Sequence, residues 1–397
     1  MNPVRLNIAI AGAGIAGLSV ATMLARHGAR VTIYDQMEAP RPVGSGFVIQ
    51  PTGAAVLDSM GLLRQAEARG QRIDRMLGRL SHSDRIVLDI GYSREKFGIA
   101  IQRVALFEIL LDAAIKAGVS FETCSKVNGV ESGERPILLL ESGRAAAAAD
   151  LVIDAMGANS PLGLRAEGTE LEYGALWATV PWPTSGPFHS NLLEQRYVRA
   201  SRMAGVLPVG TASEGAPQMA TFFWSLRNRD FSAWQSTPRE KWVEEVANIW
   251  PDAATFAQQA EPVHARYRHH TQSPFIGRNA VRIGDACHAA SPQLGQGANM
   301  ALLDAASLAY ALQSEPDVED ALQQHANQRN MHIRLYQALS HVMTPFYQSD
   351  SQVLPLIRDL FIGPVSIVPG IRRIITTIVT GELTNPTHGL GLESGQR

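Results

Sequence analysis

Lysine is scarce: Lys96, Lys116, Lys126 and Lys241 are the only four in 397 residues, so the cations are almost all arginine. The 35 basic and 37 acidic residues leave a formal net charge of −2, which excludes a dedicated nucleic-acid or polyanion binder. Two cysteines, Cys124 and Cys287, are too few for a disulfide framework, and no metal-ligand spacing surrounds either. The expectation is a reducing cytoplasm and no metal. Long apolar runs are missing as well. Residues 354–379 are interrupted by Arg358, Pro364, Pro369, Arg372 and Arg373 well short of a span, so packed helices are expected there, with a peripheral membrane contact as the lesser reading. The apolar stretch 8–24 carries three spaced glycines and no cleavage-like ending, which separates it from a signal peptide. No internal repeat and no disordered linker is found.

With 45% apolar residues, the chain can bury the cores of two intimately packed domains. Residues 6–11 read as a strand, 15–27 as a helix stopped by Gly28, and 30–34 as a second strand, a compact βαβ unit. A helix follows from Pro51 to Leu63, an amphipathic helix over 104–117 and strands over 119–124, 137–140 and 149–155, with Ala145 to Ala149 as a small-residue strand start. From about Gly174 the pattern changes to alternating and aromatic runs, 192–198 and 219–226, which predict antiparallel strands, then a helix over 239–250. Residues 281–284 return to the short apolar pattern, and 298–312 are helical. The fold class is therefore α/β with an α+β insert: a Rossmann-like domain in three pieces (1–75, 96–173, 275–320), substrate-domain strands at 76–95, a β-sheet substrate domain at 174–274, and C-terminal helices at 321–397.

Gly12, Gly14 and Gly17 form G-x-G-x-x-G between the first strand and helix. Gly12 permits the tight turn, Gly14 lets backbone approach a pyrophosphate, and Gly17 allows close helix packing. The amides that open the helix, at Ile15 and Ala16, face the same phosphates. Asp35 lies 23 residues after Gly12, at the end of the second strand, where a carboxylate accepts from both ribose hydroxyls and repels a ribose phosphate. This predicts FAD or NAD, not NADP, at the adenosine site.

The run from Arg282 to Asn299, RIGDACHAASPQLGQGAN, narrows the choice. A strand ending at Gly284–Asp285, a loop with Pro292, Gly295 and Gly297, and a helix from Ala298 give Asp285 access to a sugar-like chain and aim helix-end amides at an electron-rich ring edge. Here the sequence resembles the single-component FAD-dependent aromatic hydroxylases, the para-hydroxybenzoate and salicylate hydroxylase family, whose G-D-A-x-H-x-x-x-P-x-x-G-x-G-x-N pattern is matched from Gly284 to Asn299. The resemblance extends to the segment Gly44 to Pro51, including Ser45 and Gly46, and to Arg103 at a helix start. It implies FAD as cofactor, NADH or NADPH as transient reductant, and hydroxylation of an aromatic or heteroaromatic small molecule by O2 through a flavin hydroperoxide. It also implies that Asp285 binds the ribityl chain, that Arg103 lies near the ribityl–pyrophosphate region, and that Pro292 and the amides from Gly295 to Asn299, Gly297 and Ala298 among them, border the isoalloxazine.

One family motif is altered. Where members carry D-L-V-I-G-A-D-G-x-x-S-x-x-R, this chain has Asp150 to Gly163 with Met156 at the aspartate position, Asp154 two residues early, Gly163 for the arginine and Arg165 nearby. That leaves reduction by NAD(P)H less securely implied than oxygen chemistry. Pro292 and Gln50 are the flavin-adjacent candidates. Phe47, Tyr197, Phe222, Phe223 and Trp224 are the substrate candidates, with Tyr173 and Trp177 as further walls and His189 and Arg196 as polar contacts. No general base is assigned. His288 reads as structural, His269–His270 lack metal spacing, and Cys287 reads as buried packing. Same-fold alternatives are an N-hydroxylase, an epoxidase, a reductase of isoprenoid substrates, or a halogenase, the last disfavoured by the lack of Trp-x-Trp-x-x-Pro. A different class is a non-catalytic flavin or ligand binder. A monomer or homodimer is expected.

Overall fold

The first strands and helix form as the period of their apolar side chains dictates. β1 (Asn7–Ala11) leads through the glycine turn into α1 (Ile15–Arg26), and β2 (Arg30–Tyr34) returns parallel to β1 with Ile8 opposite Val31 and Ile10 opposite Ile33. The computed structural model describes residues 6–39, 45–92, 96–163, 170–362, 368–390 and 392. Gly44, Arg165 and Pro364 lie outside them.

Four more strands complete a six-stranded sheet: β8 (Ser120–Glu122), β11 (Leu151–Asp154), β17 (Phe275–Gly277) and β18 (Ala280–Arg282), in the order β17-β18-β11-β1-β2-β8. All neighbours are parallel except β17 and β18. α1 packs against α4 (Arg103–Lys116) and α9 (Gly297–Ser314), burying Ile10, Leu18, Ile33, Leu106, Leu302 and Leu308 in one core. Each such side chain contributes about 1.5–3 kcal/mol on leaving water.

A second sheet of seven strands follows the order β16 (Val263–Ala265), β12 (Tyr173–Pro181), β15 (Met219–Arg227), β14 (Arg202–Gly210), β13 (Leu192–Val198), β5 (Arg75–Leu80), β6 (Ile86–Gly91). Its outer face is covered by α6 (Arg239–Ile249) and α7 (Ala254–Gln259), preceded by the short α5 (Phe231–Gln235). Its inner face packs on a three-stranded sheet, β3 (Phe47–Ile49), β7 (Gly98–Ile101) and β4 (Gln71–Ile73), and on the end of α10 (Val318–Tyr347). A hairpin of β9 (Val127–Glu131) and β10 (Ile137–Leu140), and helices α2 (Pro51–Ser59), α3 (Leu63–Arg69), α8 (Asp285–His288), α11 (Leu354–Ile357) and α12 (Pro369–Val379), complete the elements used below. Among the described residues no helix is long and apolar enough to cross a membrane.

Several boundaries differ from the sequence reading. The helix expected from Pro51 to Leu63 is two, because Gly61 takes φ +69° and its amide closes onto Asp58 O. The strand expected over 119–124 shortens to β8, since Cys124 adopts φ +51°. Ala145 makes one isolated bridge and 146–149 form no strand; they run beside β10 through single bonds such as Ala146 N to Leu138 O. The strand before Asp285 stops at Arg282 because Gly284, at φ +60°, turns the chain into α8.

Candidate FAD and substrate site

The glycine turn is closed by approaches that only glycine allows. Gly12 has φ +101°, and a Cβ there would stand 2.6 Å from Ala155 O; one on Gly17 would stand 2.0 Å from Gly12 O. Gly14 differs: the nearest atom to its hypothetical Cβ is 4.0 Å away, so this side of the turn is open. It precedes α1 as a cap with no side-chain bond to the first turn and no acidic residue in it, leaving the Ile15 and Ala16 amides at the positive end of the helix. The Asp35 carboxylate accepts from Ala13 N at 2.7 Å and Met37 N at 2.9 Å, which ties the end of β2 to the glycine turn.

The second loop meets the first through Gly284, whose hypothetical Cβ lies 3.2 Å from Ala16 Cβ. Asp285 opens α8 exposed, and its Oδ1 lies 3.8 Å from where a Cβ on Gly297 would be. Pro292 starts a 3-10 turn that Gly295 ends in the left-handed conformation, after which Gly297 and Ala298 begin α9. Asn299 is fully buried; its Oδ1 accepts from Gln50 N at 2.8 Å and its Nδ2 donates to Gly295 O at 3.1 Å, so its side chain clamps two loops together. A residue larger than glycine at position 53 would collide with it at 2.2 Å.

At this junction the buried donor atoms Gln50 Nε2 and Arg103 Nε have no protein acceptor. Gln50 is fully buried and accepts from the Tyr92 hydroxyl at 2.7 Å, yet its Nε2 donates to nothing. The Arg103 guanidinium sits over the Phe47 ring at 5.1 Å with Nε unpaired; burial pulls its pKa below the ordinary arginine range, against the attraction of Asp285. Buried donors without acceptors are rare in finished proteins. Together with the open glycine turn they fit an extended, anionic, hydrogen-bond-accepting cofactor. Residues 5–335 match the family model described as FAD binding domain.

The chain belongs to this family of FAD-dependent aromatic hydroxylases. It is 25% identical to 6-hydroxynicotinate 3-monooxygenase of Bordetella bronchiseptica over 80% of its own length and 84% of the relative's. It is also 25% identical to 3-hydroxybenzoate 6-hydroxylase 1 of Aquipseudomonas alcaligenes, covering 86% of this chain and 89% of that one. The crystal structure of Klebsiella pneumoniae HpxO with FAD and uric acid shares the fold, with a TM-score of 0.77 at 19% identity over 95% of this chain and 98% of that one. The protein is thus an FAD-dependent oxidoreductase of monooxygenase type.

In this hydroxylase the strand alternation of β15 divides the aromatic candidates. Phe223 faces inward, stacked on Trp177 at 4.8 Å and in one cluster with Val48 and Val209, the latter against Gly46. Trp177 Nε1 donates to Tyr267 OH at 2.5 Å. Phe222 and Trp224 point the other way, into the core under α6 and α7, so they are corrected from substrate walls to packing residues. Tyr197 is corrected as well: it is fully buried, its hydroxyl donates to Gln195 Oε1 at 2.9 Å, and its ring is held by Tyr347 and Arg358. Phe47 lies under Arg103, Gly46 N donates to Thr221 Oγ1 at 3.0 Å, and Ser45 is half-buried beside it. Of the polar candidates, Arg196 is engaged with Asp84 and Trp250, and the His189 backbone carbonyl accepts from Leu192 N; the wall candidate Tyr173 bonds Asp350 and Arg227.

The altered motif has its own support. Asp154 is buried, accepts from Met156 N at 3.0 Å and Ser160 Oγ at 2.6 Å, and has its pKa raised by burial. A Cβ at Gly163 would meet the Gln272 side chain at 2.5 Å, so the arginine of the family pattern does not fit there undisturbed. Arg282 reaches the same loop from β18, donating to Leu162 O at 2.5 Å, Ser273 O at 2.9 Å and Phe275 O at 3.2 Å. Sequence reasoning missed it, although a charge in a three-residue strand that is otherwise apolar was the available signal. Tyr92 was missed too, and no local pattern marked it. His288 bonds Asp304 at 2.6 Å inside the core. His270 bonds Asp285 O, and among the described residues no group of three or more His, Cys, Asp or Glu could hold a metal. Burial pushes the Cys287 thiol up to about 12, which keeps it protonated at neutral pH.

Proposed function

We propose that this hydroxylase uses NADH or NADPH and O2 to hydroxylate a planar aromatic or heteroaromatic molecule held between Phe223 and the loop from Pro292 to Asn299. The observation that carries the reading is the pair of unmatched buried donors, Gln50 Nε2 and Arg103 Nε, at the meeting point of the two glycine-bearing loops. Bound FAD would supply the activation of O2 needed to transfer one oxygen atom to the ring. The chain's own residues bind and orient. The open face at Gly14 and the first-turn amides of α1 hold the pyrophosphate, and Asp35 the adenosine ribose. Asp285 receives the ribityl hydroxyls, with Arg103 supplying positive charge nearby. Asn299 fixes Gln50 and Gly295 relative to each other, so that the amides from Gly295 to Ala298 keep their aim at the ring edge.

Gln50 is held by Tyr92, whose pKa burial raises well above the usual tyrosine range, so the hydroxyl stays a donor and Gln50 keeps its NH2 turned away from it. The Trp177–Phe223 pair forms an apolar wall that excludes water from the reacting ring. The two relatives carry the names of enzymes for hydroxynicotinate and hydroxybenzoate, which favours a small ring with a polar substituent. We place the enzyme in the cytoplasm, given two cysteines and neither in a disulfide among the described residues, and as a monomer or homodimer. The test is a set of phenolic, hydroxypyridine and quinolone compounds added to FAD-loaded protein with NADH or NADPH. At least one is expected to accelerate NAD(P)H oxidation. Loss of FAD affinity in Arg103→Met, with wild-type folding, supports the assigned cradle; unchanged affinity contradicts it.

A further inference from the structure

A cavity of about 360 Å³ lies on the outer face of the seven-stranded sheet, between β15 and the helices α5 and α6, and the proposed reaction does not use it. Trp224, Trp234 and Trp242 line it, a concentration of half the chain's six tryptophans. Trp234 and Trp242 meet edge to face at 5.4 Å. Buried indole N–H groups ordinarily find an acceptor. Here neither Trp234 Nε1 nor Trp242 Nε1 has one, although Trp242 is only 3% exposed. The polar rim carries one loosely engaged ion pair, Arg202 and Glu245, at 3.9 Å, too long for a hydrogen bond. Arg227, the other guanidinium of the lining, is already bonded to Asp350 and Tyr173.

We propose that this cavity is a second small-molecule site, which takes a planar aromatic acid whose ring also bears a hydrogen-bond donor. Trp234, the half-buried one of the three tryptophans, supplies stacking surface for the ring, and the size falls in the range of small-ligand pockets. Arg202 takes the carboxylate in a charge-assisted bond, the two indole N–H groups supply donors for its remaining oxygens and ring acceptors, and Glu245 accepts from the ring donor. The site is separate from the substrate wall by the pleat of one strand: Trp224 faces the cavity, and Phe223, the next residue back, faces Trp177 on the other side. The proposal stands whether or not the hydroxylase reading does.

The test uses the FAD-loaded full chain with 5-fluorotryptophan incorporated, its six fluorine resonances assigned by single Trp→Phe substitutions. Anthranilate is the probe; aniline lacks the carboxylate and cyclohexanecarboxylate lacks the flat ring. The resonances of Trp224, Trp234 and Trp242 are expected to shift along one saturable curve that differs from that of Trp177 and of the flavin absorbance. Aniline and cyclohexanecarboxylate should leave them in place. Arg202→Ala, an exposed change at the start of β14, should weaken the anthranilate curve about tenfold. The proposal is overturned by shifts that never saturate, by shifts that track Trp177 and the flavin on one curve, or by an Arg202→Ala midpoint equal to wild type.

Discussion

Asp304 joins three segments at one carboxylate. It accepts from Gly284 N at 2.7 Å, from His288 Nε2 at 2.6 Å and from Arg329 Nε at 2.7 Å. Burial alone would raise its pKa, but His288 and Arg329 outweigh that and hold it well below the usual carboxylate range. Since Gly284 leads into Asp285 and abuts Ala16, Asp304 is a positioning residue for the loop proposed to hold the cofactor. Asp304→Asn leaves a buried arginine without its counter-charge and should destabilise the fold by about 3–5 kcal/mol, read by denaturant unfolding, with FAD lost on gel filtration. The neighbouring His325 is pushed down to about 4 by burial, with Arg329 opposing its protonation and Asp304 favouring it, and it bonds Ser307 Oγ at 3.0 Å. Folded, it stays neutral where the unfolded chain takes up a proton, below about pH 6.5. Its contribution is therefore full above about pH 6.5 and is lost as pH falls towards 4. Melting temperatures should drop across that window, and His325→Gln should flatten the slope; an equal slope in the variant contradicts the assignment.

At the scale of elements, β15 and β18 show how one residue's direction decides its role. Phe222→Ala empties a place between the sheet and α7 and should cost about 3–5 kcal/mol while leaving substrate-stimulated activity per folded molecule unchanged. Phe223→Ala should instead raise the KM for the aromatic substrate by about tenfold or more, because it strips an aromatic face from the wall proposed to hold the substrate ring. Equal kinetic effects of the two would contradict the assigned faces. In β18, Arg282→Met removes donors from three backbone carbonyls, and unmet buried acceptors cost about 1–3 kcal/mol each. Limited proteolysis should then cut near Leu162 sooner than in wild type. Much at this scale was legible in sequence: β1, α1 and β2 follow from apolar periodicity and Gly28, and β13 matches its alternating run 192–198. Which face of β15 packs under the helices was not, because alternation gives two faces and only the packed neighbours, α6 and α7 on one side and β3 on the other, distinguish them.

Across the whole molecule, the chain leaves its first sheet and returns to it. β1, β2, β8 and β11 precede the second sheet's main strands, and β17 and β18 follow them, so the two glycine-bearing loops, more than 260 residues apart, meet at Ala16 and Gly284. Both loops carried their glycines in readable patterns, which is why FAD as the cofactor could be expected from sequence. Tyr92, Arg282 and Arg329 were not, since each acts through a partner with no local spacing to mark it: Gln50, Leu162 and Asp304. The 30 residues of α10 gave no single signal, because their polar and buried positions answer to α9 and to the end of the second sheet, not to one regular stripe. The most direct test of the central claim is turnover under 18O2 of FAD-loaded protein with NAD(P)H and a compound that stimulates its oxidation. One labelled oxygen atom in the aromatic product is predicted. Product oxygen derived from water, or NAD(P)H oxidation that never yields an oxygenated product, would contradict the account.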